Sequence, residues 1–113
     1  MILQGMVLHG DVLESIFYDQ ATGQPKPGYS VKLTVLDDDT AEKYECQLTD
    51  GFAALEELKN LKRQGQPIEV LQQIADQLRA QLPTKMTPVV LQVQRIKGKG
   101  SFMTLVCRFA QAA

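Results

Sequence analysis

From Tyr29 to Leu36 apolar and polar residues alternate, with Tyr29, Val31, Leu33 and Val35 on one side and Ser30, Lys32 and Thr34 on the other. Period-two alternation predicts a half-buried strand. The pattern returns over Lys43 to Thr49, where Tyr44, Cys46 and Leu48 oppose Glu45 and Gln47, and Asp37-Asp38-Asp39-Thr40 supplies the turn between them. Residues 2–18 are rich in apolar side chains but interrupted by Gly5 and Gly10. A helix tolerates two glycines poorly, so this stretch predicts a long strand bulged or kinked at those glycines. Asp19 to Gly28 is dense in turn-forming residues and predicts a loop.

After Leu48 the period changes. Asp50 is placed to cap a helix carrying Leu55, Leu58 and Leu61, with Glu56 and Glu57 early and Lys59, Lys62 and Arg63 late. That charge order complements the helix dipole, and Gly65 ends the helix. Pro67 suits the first turn of a second helix, whose stripe of Leu71, Ile74, Ala75, Leu78 and Leu82 has 3.6-residue spacing until Pro83 stops it. Strands return over Pro88 to Ile96 and Ser101 to Phe109, joined by the hairpin Lys97-Gly98-Lys99-Gly100. The order is β-β-β-α-α-β-β. This predicts a mainly β, α+β chain: a five-stranded OB-fold-like barrel with a helical segment between strands 3 and 4. One domain over 1–110 is expected, with 111–113 frayed.

Composition narrows the function. The 113 residues contain 44% hydrophobic side chains, enough for a real core. Net charge is only −1, unlike a strongly basic nucleic-acid binder, yet it is unevenly spread. Residues 1–60 hold four Lys/Arg against eleven Asp/Glu, and residues 61–113 hold eight against two. If that polarity survives folding, it creates a dipolar surface; otherwise it is ordinary solvated charge. Cys46 and Cys107 fall on the apolar phase of their strands and read as reduced core residues. No stretch reaches the ~18 apolar residues of a membrane span, and a soluble, cytoplasmic protein is expected.

No P-loop, GxSxG or HExxH pattern occurs, so no enzymatic activity, cofactor or metal is expected. His9, the only histidine, reads as a half-buried strand residue. Asp37, Asp38 and Asp39 lack the spacing and glycine of a calcium loop and read as a solvated turn. What the chain offers is a cationic track beside an aromatic, the combination that grips single-stranded nucleic acid. Phe102 lies on the polar phase of its strand, where it either stacks a base or covers the barrel mouth. Lys97 and Lys99, in the glycine hairpin, either meet phosphates or keep the tip soluble. Arg95 and Arg108 extend the track, Lys32 lies on the polar phase of the second strand, and Lys26 is placed to clamp from the loop. Tyr29 and Tyr44 share the core phase, although tyrosines at strand ends can tip their hydroxyls into water.

The run Gly23-Gln24-Pro25-Lys26-Pro27-Gly28-Tyr29-Ser30, then Glu42-Lys43-Tyr44 and Leu48-Thr49-Asp50-Gly51, resembles the gene V type helix-destabilising proteins of filamentous bacteriophages. So does the C-terminal run Val93 to Phe109. The resemblance covers roughly half the chain. It implies an OB-fold protein of the bacterial host cytoplasm that coats single-stranded DNA during replication, cooperatively and as a homodimer. It also implies DNA contact at Tyr29, Tyr44, Phe102 and Arg108. The first loop departs from that family in carrying Lys26 as its only basic residue before Tyr29, and block 51–83 is longer than in the phage proteins. Three functions follow as expectations: non-specific single-stranded DNA binding; an OB-like accessory subunit that docks a replication partner without binding nucleic acid; and duplex or RNA binding.

Overall fold

The period-two stretches form strands and the 3.6-residue stretches form helices. A computed structural model describes residues 1–18, 21–98 and 103–110, and of 15–18 and 25–27 it describes the backbone alone. Along it run β1 (Ile2–Tyr18), β2 (Pro25–Asp37), β3 (Lys43–Leu48), α1 (Ala53–Arg63), α2 (Ile68–Gln81), β4 (Pro88–Lys97) and β5 (Thr104–Phe109). The strands close into a barrel in the order β1-β2-β3-β5-β4. β3 and β5 are parallel and every other pair is antiparallel. A closed five-stranded mixed barrel with its helices between β3 and β4 is OB-like, as the element order predicts.

Val31, Leu33 and Val35 point into the barrel and are fully buried, together with Cys46 and Leu48 from β3 and Leu91 from β4. The helices close one end with Leu55, Leu58, Leu71 and Leu78. Full burial of one such leucine is worth roughly 1.5–3 kcal/mol, and this packing holds the helices. Neither helix has a side-chain N-cap bond. Asp50 does not cap α1; the N-cap is Phe52, whose buried ring meets Phe109 edge-on at 5.5 Å. The chain enters that position through Gly51 at φ +93°, and Gly65 at φ +72° follows the C-cap of α1. Cys46 and Cys107 are free and buried. The adjoining Cys107 thiol and burial both push the Cys46 thiol up, which keeps it protonated.

Two irregularities decide which way side chains face. In β1 the pairing slips between Val7 and His9, leaving Leu8 as an extra residue. The slip thus lies between the two glycines and not at either. His9 is turned outward and is exposed, in contrast to the half-buried position expected. In β4 the pairing slips between Val93 and Arg95, with Gln94 the extra residue. Gly5 serves strand packing instead. A Cβ there would come within 2.2 Å of the Leu36 carbonyl oxygen, so only glycine lets β1 and β2 approach so closely. Beyond Val12↔Val31, β1 and β2 stay paired out to Tyr18↔Pro25, whereas β3 joins β2 only from Val31 onward. The two strands therefore project past the barrel as an arm. No helix among the described residues is long and apolar enough to cross a membrane.

Candidate nucleic-acid interface

The outer wall of β2-β3-β5-β4 follows from strand register. Paired residues share a face, and the inward rungs are Leu33↔Cys46, Cys46↔Leu105 and Leu105↔Ile96. The outward rungs are then Lys32↔Gln47, Gln47↔Val106 and Val106↔Arg95, with Thr34↔Glu45, Glu45↔Thr104 and Thr104↔Lys97 beside them. Arg108↔Gln92 adds one more outward pair. Lys32, Arg95, Lys97 and Arg108, drawn from three strands, therefore lie on one continuous face.

The β4 bulge is what brings half of these cations there. In unbroken alternation Arg95 and Lys97 would share the inward phase of Val89, Leu91 and Val93. The extra residue Gln94 reverses that phase, sending Arg95 and Lys97 outward and Ile96 inward.

Side-chain contacts give the wall its character. Lys97 Nζ donates to Gln47 Oε1 at 3.2 Å, and Gln47 Nε2 donates to Ser30 Oγ at 3.1 Å. Ser30, Gln47 and Val106 are buried despite facing outward. Lys32 is ion-paired to Glu45 Oε2 at 2.9 Å, and Thr34 Oγ1 donates to Glu45 Oε1 at 3.2 Å. Glu45 is the one carboxylate on these rungs. Among the described residues, Arg95 and Arg108 are exposed with no ion pair. At the β1 border, Asp11 accepts from its neighbour's backbone, Val12 N–H, at 2.7 Å, and from Arg79 at 3.4 Å. These bonds hold its carboxyl below the usual range.

The tyrosines are elsewhere. Tyr29 is 8% exposed and belongs to the core, lining a cleft of about 200 Å³ against α2 with Leu71 and Ala75. Its place follows the core phase of β2, and its ring is buried there. Tyr44 is half-buried at the barrel mouth away from the helices, on the inward phase. Its hydroxyl donates to Glu42 at 2.8 Å, which raises its pKa. Neither ring joins the cationic wall. Lys99, Phe102 and the side chain of Lys26 lie outside the described residues.

Sequence reading left Lys43, Glu45, Gln47 and Ser30 out of the wall. All sit on polar phases, and the wall's composition emerges only when β5 is inserted between β3 and β4. No group of His, Cys, Asp and Glu among the described residues is arranged to hold a metal. Comparison with protein-family models, curated proteins and solved structures gives no match to this chain.

Proposed function

We propose that the protein binds single-stranded DNA without sequence preference along the outer wall of β2-β3-β5-β4. The observation that carries this reading is the convergence of Lys32, Arg95, Lys97 and Arg108 on one face, with Glu45 the one carboxylate among the described residues of its outward rungs. OB-like barrels engage oligonucleotides through the face of strands 2 and 3 and the loops next to it. In the sequence Phe102 lies between β4 and β5, and in this reading it supplies the base-stacking aromatic. In this reading phosphates meet the arginines and lysines, and a base lies on the phenyl ring. The polar row Ser30-Gln47-Lys97 holds one cation in register.

The resemblance to gene V type proteins extends the proposal to coating of single strands in replication or transfer and to a homodimer. Sedimentation of the purified chain checks the dimer. Binding is tested by fluorescence anisotropy with a labelled 20-mer of oligo-dT. Four cations predict tight binding at low salt and a log–log salt slope of about −3. Phe102→Ala is expected to weaken binding by ~1–3 kcal/mol. Absence of low-salt binding overturns the proposal, and stronger binding to duplex or RNA in competition redirects it.

A further inference from the structure

We infer that the open mouth of the barrel is a docking cleft for a protein segment presenting one large apolar side chain flanked by lysine or arginine. The helices close the opposite end, and among the described residues none covers the inward phase of the strands here. The result is a cleft of about 190 Å³ with Leu3 and Leu105 as its floor and Tyr44 as a wall. Ile2 and Ile96 at the rim are each 54% exposed, and Met103 is 40% exposed. Ile96, which its strand phase directs inward, is thus left in water beside Ile2 and Met103 at a site with room for one leucine or phenylalanine. Clustered exposure of this kind marks a binding surface more often than scattered apolar residues do.

Charge chooses the occupant. Asp37 lines the cleft, and the β2–β3 turn at its edge adds Asp38, Asp39 and Glu42. Two of these carboxylates are fixed in place. Asp37 accepts the Asp39 and Thr40 backbone N–H groups at 2.8 and 3.0 Å, and Glu42 accepts the Tyr44 hydroxyl. An anionic rim repels nucleic-acid phosphates and anionic lipid headgroups. It attracts a basic peptide, and the apolar floor then takes the side chain between the charges. The cleft is separate from the cationic wall, so this inference does not depend on DNA binding.

The test is an amide-resolved NMR titration of the full chain with an acetylated nonapeptide carrying leucine between lysine pairs. Two control peptides replace the leucine by alanine or the lysines by glutamate. The lysine–leucine peptide is expected to shift the amides of Tyr44, Ile96 and Met103 and to bind about tenfold more tightly than either control. Ile96→Ser, at a position 54% exposed, should remove most of that preference. So should Asp38→Lys combined with Asp39→Lys. Equal binding of the three peptides, or no shift at these amides, overturns the inference. So does concentration-dependent self-association through the same amides, or their displacement by oligo-dT, since either identifies a different occupant.

Discussion

Glu45 tempers the cationic wall. Its two oxygens are taken by Lys32 and Thr34, so Lys32 reaches a phosphate only by giving up a carboxylate. An exposed pair of this kind contributes ~0–1 kcal/mol to stability, so its loss leaves the fold intact. Glu45→Gln is therefore expected to tighten oligo-dT binding severalfold. The salt slope should stay at about −3, because Lys32 is already counted among the four phosphate contacts. Unchanged affinity would place Lys32 outside the binding track. Asp37 acts on folding instead. Backbone N–H groups of Thr40 and Asp39 hold its carboxyl below the ordinary value of 3.8. A group lowered on folding contributes stability above its unfolded pKa and loses it as pH falls through the folded value. Asp37→Ala should thus lower Tm at neutral pH, with the difference from the parent chain shrinking as pH drops below about 4. Thermal melts across that range check it.

At the scale of elements, the β4 bulge carries the most consequence. Deleting Gln94 removes the extra residue and sets Arg95 directly after Val93, so plain alternation keeps Arg95 and Lys97 outward and Ile96 inward. The deletion should therefore keep the cationic wall and its oligo-dT binding and lose only the local twist that the bulge adds; a folded variant that no longer binds would contradict this. Denaturant melts and oligo-dT titration of the same variant separate the outcomes. The bulges also explain what can be read from the chain. Regular alternation places β2, β3 and β5, and 3.6-residue spacing places α2, because each pattern has one buried face. A bulge leaves no mark in alternation, so the outward turn of His9, Arg95 and Lys97 emerges only from pairing. The start of α1 is misread from sequence because Asp50 offers a capping side chain, while the burial of Phe52 against Phe109 fixes the entry.

For the molecule as a whole, the barrel interleaves two halves of opposite charge without blending them. Lys32 from the acidic half joins Arg95, Lys97 and Arg108 on the wall, while Asp37, Asp38, Asp39 and Glu42 collect at the mouth. A net charge near zero thus conceals two surfaces of opposite sign. The element order is enough to anticipate the OB-like barrel. The cationic wall is only half visible in the sequence, since the tyrosines that the resemblance draws toward DNA are held by the core and by Glu42. The most direct measurement is the salt dependence of oligo-dT binding by the parent chain and by Arg95→Glu combined with Arg108→Glu. A single-strand site on this wall predicts a slope near −3 for the parent, and for the variant a slope reduced by about 1.4 and affinity at least about tenfold lower at low salt. Matching slopes and affinities for the two proteins would contradict it.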